Sequence, residues 1–367
     1  MNPSSLSSLQ LLAKSWTMAA SGYNQIFLPK FAPWTNDSIG VLQQELQKLL
    51  PHQKEQKQQQ QQQQDEQSRC YSCFVPCCGP GHELEHLAGI LPLEDETWSI
   101  WGFDLAPGMI ELARTRLGLD VDKHRVYKRR RPSLHVQVGN AMDFPKTDEI
   151  ASKNNDNTSD PLGTIPDSWT AILCVFGLQQ LPDPVQAIKN WTNGLSNEGG
   201  VLVVCYWPQG ATRADENDDK AQQQQTEKND RLHPWTRFSD IIQAKLQQEK
   251  ESSTTKNDQG GKQHAKTAYW EDELIPAALS VPGTKLVQDS MLTHAIEWEN
   301  AEDCFESMTR AGPLHALRLR RGDDFVDGLK QEFCAPYPPG QKLSNDFEAR
   351  LIVILRQGGS NDDIVAS

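Results

Sequence analysis

The chain has 367 residues, 37% of them hydrophobic, and carries 36 Lys+Arg against 49 Asp+Glu, a formal charge of −13. That acidity works against binding nucleic acid or an anionic membrane through bulk charge, and no apolar run approaches the ~20 residues that a membrane-spanning helix needs. Eight Cys in a chain of this length do not make a disulfide scaffold, and with no secretory signal they read as reduced thiols.

Residues 1–36 hold no acid, only Lys14 and Lys30 as cations, and several Ser. This is faintly like a transit peptide, but Arg is lacking, so the expected location is the cytoplasm, with the mitochondrion as alternative. Residues 38–50 place Ile39, Leu42, Leu46, Leu49 and Leu50 on one helical face, behind Asn36 and Asp37 as candidate caps. Two polar tracts, 53–67 with unbroken Gln over 58–64 and 209–266, bury too little apolar area to offset chain entropy and read as disordered. Within the second, 232–246 places Trp235, Phe238, Ile241, Ile242 and Leu246 near helical spacing. Residues 153–160 read as a long polar loop.

The rest alternates. Apolar runs at 71–78, 98–103, 134–138, 169–176 and 200–206 read as buried strands. Helices are expected around 83–91, over 107–117 with Pro107 in the first turn, and over 184–195. Further strands are expected at 285–298 and 348–356, with a helix near 301–310 between them. Strand then helix, repeated, implies an α/β doubly wound parallel sheet, which binds ligands beyond the carboxyl ends of its strands.

Candidate residues fall at those ends. Gly79 and Gly81, in Cys78-Gly79-Pro80-Gly81, let a ligand approach the backbone. A dinucleotide fingerprint wants a third Gly at Leu84, so a nucleoside without phosphates suits this loop better. Asp104 closes the second strand and can accept both hydrogens of a ribose diol. Asn140, or the backbone at Ala141, can hold an adenine edge, with Met142 on the ring. Phe176 and Gly177 offer a flat wall and room for substrate.

The series Cys78-Gly79-Pro80-Gly81, Gly102-Phe103-Asp104-Leu105-Ala106-Pro107-Gly108-Met109, Gly139-Asn140-Ala141-Met142 and Phe176-Gly177-Leu178-Gln179-Gln180-Leu181-Pro182-Asp183-Pro184 resembles class I S-adenosylmethionine-dependent methyltransferases. The nearest group is the type 11 small-molecule enzymes related to quinone-biosynthesis methyltransferases. The resemblance covers residues 70–208 well and the tail from 274 more loosely. It implies a seven-stranded Rossmann-like sheet of order 3-2-1-4-5-7-6 and S-adenosyl-L-methionine as cofactor. Carried over, Cys78, Gly79, Pro80 and Gly81 form the loop facing the methionine part. Asp104 binds the ribose, and Leu105 and Met109 border the adenine with Asn140, Ala141 and Met142. Phe176 and Gly177 flank the sulfonium, and Tyr23, with Trp16 and Phe27, belongs to a segment closing over the cofactor. Asn140 replaces a frequent Asp, and Val75 or Pro76 stands where many members carry an acid.

The expected domains are an N-terminal cap at 1–52, a Gln-rich linker at 53–69, a cofactor-binding core at 70–208, a low-complexity insertion at 209–266, and a C-terminal part at 267–358 completing the sheet. The expected function is methyl transfer to a small-molecule acceptor, with no nucleic acid and no membrane span. The alternatives are a non-catalytic binding or regulatory protein on the same fold, or an RNA or protein methyltransferase led by the basic run at 123–131. No catalytic base is singled out. Cys70, Cys73, Cys77 and Cys78 invite a zinc reading, but strand alternation points such thiols to opposite faces, so no metal is expected. His82 and His86 lie one turn apart and share a face, and Arg318, Arg320 and Arg321 read as an exposed helix end. Tyr206, Trp207, Trp235, Trp270 and Trp298 lie in or near the parts expected to form an acceptor wall.

Overall fold

The computed structural model describes residues 7–60, 70–91, 97–119, 132–142, 144, 166–208, 234–253, 269–310 and 312–357. The polar loop at 153–160, the basic run at 123–131, residues 61–67 of the first polar tract and most of the second lie outside them.

Helix α1 (Ser8–Gly22) opens on a capping box, in which Ser7 Oγ accepts from the Gln10 N–H and Gln10 Oε1 accepts from the Ser7 N–H. It continues through a π-helical turn (Tyr23–Phe27) into α2 (Leu28–Gln60). The helix expected from residue 38 therefore starts at Leu28, and Asn36 and Asp37 lie inside it rather than capping it. Pro33 removes one backbone bond, but Phe31, Trp34, Thr35 and Ser38 are all buried around it, and packing overrides the local cost. At its far end α2 carries the first glutamines of the tract as helix, up to Gln60.

The strands are β1 (Cys70–Pro76), β2 (Thr97–Asp104), β3 (Ser133–Val138), β4 (Ala171–Val175), β5 (Gly199–Tyr206), β6 (Thr284–Trp298) and β7 (Leu343–Gln357). They form one seven-stranded sheet of order β3-β2-β1-β4-β5-β7-β6, as expected. The first five run parallel, and β7 pairs antiparallel with β5. Register aligns the carboxyl ends, with Pro76 opposite Phe103, Asp104 opposite Val138 and Val175 opposite Cys205. Both β4 and β5 are buried at every position, which is why they read as unbroken apolar runs.

The remaining helices are α3 (His82–Ile90), α4 (Pro107–Leu117), α5 (Pro184–Asn193), α6 (Pro234–Ser253), α7 (Trp270–Leu279), α8 (Ala301–Thr309), α9 (Gly312–Arg321) and α10 (Asp323–Cys334). The chain divides into two compact units. One comprises Met1–Lys30, Pro208–Ala268 and Thr293–Glu348, the other Phe31–Trp207, Tyr269–Leu292 and Ala349–Ser367. In the first, Phe238 of α6 meets Phe305 of α8 and Phe333 of α10, with centroids 5.6 and 6.0 Å away. Phe238 and Ile241 of the amphipathic stripe are buried, whereas Trp235 is 40% exposed. In the second, Phe74, Trp101, Phe103, Trp169, Ile172, Trp191, Leu202, Ile352 and Ile354 build the core. Each such side chain contributes about 1.5–3 kcal/mol by leaving water.

Candidate functional site

The site is built where β1 to β4 end. After β1 the chain turns at Cys77, with φ +56°, and passes Gly79 and Gly81, with φ +51° and +81°, before α3 begins. The left-handed region suits glycine, and the two glycines use it differently. A Cβ on Gly79 would meet nothing within 4 Å, leaving an open face over the loop. A Cβ on Gly81 would lie 2.9 Å from the Ala113 Cβ of α4, so this glycine lets α3 and α4 close up. Arg116 of α4 holds the same loop from outside, donating from Nε to the Pro80 carbonyl at 3.0 Å and from Nη1 to Glu85 at 3.0 Å.

Asp104 ties the loops together. Its carboxylate accepts from the Gly79 N–H at 3.1 Å and the Ala106 N–H at 2.8 Å. Burial pushes its carboxyl up to about 6, while those two N–H groups pull it down. Each oxygen retains a lone pair, so a diol has two acceptors in reach. The Asp104 carbonyl accepts from the Gly139 N–H at 3.0 Å, which joins the turn after β3. There Asn140 Oδ1 accepts from the Met142 N–H at 3.2 Å, folding the turn on itself. Trp191 and Asn190 of α5 hold the turn from below, donating to the Ala141 and Met142 carbonyls at 2.7 and 3.0 Å. Met109 and Ala141 are buried, and Leu105 and Met142 are half-buried.

After β4 comes Phe176, again left-handed at φ +56°, a strained position for a side chain of this size. Its N–H reaches the Cys205 carbonyl at 2.7 Å. Gly177 must be glycine, because a Cβ would lie 2.5 Å from the Cys77 Cβ. Phe176 stacks on Trp207, with centroids 4.3 Å apart and planes 5° from parallel. Phe31 and Trp34 of α2 close on both rings, with centroids 5.0 to 6.4 Å apart across the group. The structure therefore brings together Cys78, Gly79, Pro80, Gly81, Asp104, Leu105, Met109, Asn140, Ala141, Met142, Phe176 and Gly177 within one compact unit. Tyr23 lies in the other unit, stacked on Phe27 at 5.9 Å and edge-on to Trp16 at 5.5 Å.

The aromatic residues expected around an acceptor do not form one wall. Tyr206 is fully buried and packs against Trp270 at 5.3 Å, inside the core. Trp298, in the first unit, meets Phe347 at 5.7 Å and lies under Lys30 at 5.4 Å. Trp207 alone of the five joins the rings at the end of β4.

The thiols here are neutral. A hydrogen bond with Cys174, then burial, pushes Cys77 well above its ordinary value, and burial and then Asp104 do the same for Cys78. The His82 and His86 rings lie 4.4 Å apart, and burial, with the neighbouring His86 and Arg116, pushes His82 down to about 4, so it is neutral at pH 7.

Two residues that sequence reasoning did not single out meet beside the glycine loop. Glu83 of α3 is 8% exposed, and the Thr35 hydroxyl of α2, 1% exposed, donates to its carboxylate. Burial pushes the Glu83 carboxyl up to about 7. The signal was present: Glu83 lies one turn before Leu87 on a buried helical face. Thr35 was hidden by the late helix start.

No protein-family profile and no curated relative matches the chain. Among solved structures it is similar to a Haemonchus contortus phosphoethanolamine N-methyltransferase bound to phosphomonomethylethanolamine and S-adenosylhomocysteine, at 11% identity over 97% of this chain and 61% of that one, TM-score 0.43. It is also similar to a geranyl diphosphate methyltransferase bound to its substrate and sinefungin, at 13% identity over 79% of this chain and 72% of that one, TM-score 0.34. A third is the YcgJ protein of Bacillus subtilis, at 13% identity over 80% of this chain and 94% of that one, TM-score 0.37. These overlaps are loose, and the fold is established by the strand order.

Proposed function

We propose that the chain is an S-adenosylmethionine-dependent methyltransferase that acts on a small-molecule acceptor. One observation carries this reading. Asp104, at the end of β2, bridges the glycine loop after β1 and the start of α4, in a sheet whose seventh strand inserts antiparallel beside the fifth. That arrangement presents a carboxylate to a ribose and a bare backbone face at Gly79 to the amino-acid half of the ligand.

Bound S-adenosylmethionine would supply a methyl group on a sulfonium whose leaving group is a neutral thioether. The chain's own residues then have to hold and align. Asp104 accepts from the ribose hydroxyls, and Met109, Ala141 and Met142 pack at the adenine. Phe176 and Gly177 border the reacting end, where the Phe31, Trp34 and Trp207 rings exclude water. A displacement of this kind gains mainly from alignment and a dry site. The same rings favour an apolar or planar acceptor. On this reading residues 267–358 complete the sheet around a core at 70–208.

Isothermal titration with S-adenosylhomocysteine tests the site. Binding by wild type, lost in Asp104→Ala, is expected; no binding by wild type overturns the proposal. A labelled-methyl transfer screen over small acceptors then separates an enzyme from a binding protein, because turnover on any acceptor removes the non-catalytic alternative.

A further inference from the structure

We infer that Glu83 is the residue that takes the α-ammonium group of the donor's amino-acid half. This inference deepens the proposed function and rests on it.

A zwitterionic amino-acid tail brings one cation, which a buried site must match with an anion. Among the described residues two carboxylates flank the glycine loop, Asp104 half-buried and Glu83 buried. Asp104 sits at its ribose side and is engaged by the Gly79 and Ala106 N–H groups. Glu83 sits at the other side, two residues after Gly81, enclosed between α3 and the start of α2. Its partners are its own N–H and the Thr35 hydroxyl, neither of them a cation. Arg116 is the charged group whose field reaches it. Yet the Arg116 guanidinium is spent on the Pro80 carbonyl and on Glu85. A carboxylate with neutral partners in a closed setting is costly to keep ionised, and burial has already moved this one toward neutral pH. A cation arriving over the open face of Gly79 removes that cost. Val75 and Pro76 bring no acid to the end of β1, and Asp104 is engaged by two backbone N–H groups, which leaves Glu83 for this role. Thr35 acts as a positioning residue, fixing the carboxylate from α2.

Three thioether ligands separate the contributions. 5′-Methylthioadenosine has the nucleoside alone. Decarboxylated S-adenosylhomocysteine adds the ammonium without the carboxylate, and S-adenosylhomocysteine carries both. Titration calorimetry at pH 8 on wild type should show the decarboxylated ligand binding about tenfold to a hundredfold tighter than methylthioadenosine. In Glu83→Gln that gain should vanish while methylthioadenosine affinity stays, which also shows the variant is folded. Equal affinity of these two ligands for wild type, or an undiminished gain in Glu83→Gln, overturns the inference and leaves the proposed function standing. If none of the three binds wild type, both fall.

Discussion

The carboxyl ends of β1 and β2 and those of β4 and β5 solve the same problem with different material. On the first side two loops are joined through backbone, the Gly79 and Ala106 N–H groups being gathered by the Asp104 carboxylate. On the second it is a packed set of rings, with Phe176 stacked on Trp207 and Phe31 and Trp34 brought in by α2. Backbone donors are directional and tolerate few substitutions. Ring packing is non-directional, and volume decides it. On the proposed function, a nucleoside would meet fixed geometry, whereas the acceptor side could vary with little change to the sheet. Each side nonetheless carries one left-handed non-glycine residue, Cys77 and Phe176, so the chain holds strain on both.

The sharpest break between the two sides is expected at Trp34, which is fully buried with its indole N–H on the Leu292 carbonyl at 3.0 Å. Trp34→Ala should lower unfolding free energy by about 3–5 kcal/mol in a urea melt, with methylthioadenosine affinity of the folded protein nearly unchanged. Asp104→Ala should do the reverse on affinity, lowering it by about a hundredfold while costing about 1–3 kcal/mol of stability through two orphaned N–H groups. If both variants lose the same property, the division into a binding side and a packing side is wrong.

The two glycines sharpen the contrast within one loop. Gly81→Ala forces its Cβ against Ala113 at φ +81° and should cost about 2–3 kcal/mol. Gly79→Ala meets nothing and should cost about 1 kcal/mol, yet weaken the ligands that carry an amino-acid tail. Equal melting temperatures for the two variants would refute this assignment.

The last contrast concerns pH. The Glu83 carboxyl is raised from 4.5 to about 7, so the native state holds a proton that the unfolded chain has lost, and stability falls as pH rises through that window. Glu83→Gln removes the penalty and should make the ligand-free protein more stable than wild type at pH 8, by up to about 3 kcal/mol. The two should be nearly equal at pH 5. A variant that is less stable at pH 8 would show that the carboxylate is well compensated.

The loops after β1 and β2 were legible because their turns and contacts leave marks at short range. Gly79, Gly81 and Asp104 have few reasons to stand where they do; alternation of strand and helix implied a parallel sheet, and the family resemblance implied its order. Leu84 shows a limit of that reading. The close approach of helix to strand that a third glycine would allow is provided by Gly102 of β2, where a Cβ would lie 2.5 Å from Leu84 Cδ1. A missing glycine in one element was matched by a glycine in its neighbour, which a motif cannot display. The packing side was less legible because its partners are far apart in sequence. Phe31, Trp34 and Thr35 lie in a stretch with two prolines, which reads locally as a break, and only tertiary burial keeps it helical. Tyr206 and Trp270 resembled pocket residues by composition, but rings fill cores as readily as they line cavities.

The turn after β3 has a consequence that reaches across both sides. Its carbonyls at Ala141 and Met142 are held by Trp191 and Asn190, so α5, which follows β4, is its clamp. Amide exchange along α5 is therefore set partly by the turn it grips. A nucleoside resting on that turn should slow exchange in the middle of a helix it never touches. Hydrogen-exchange protection at residues 188–193 would then register occupancy at the adenine end, and a lesion in α5 would loosen base recognition from outside the site.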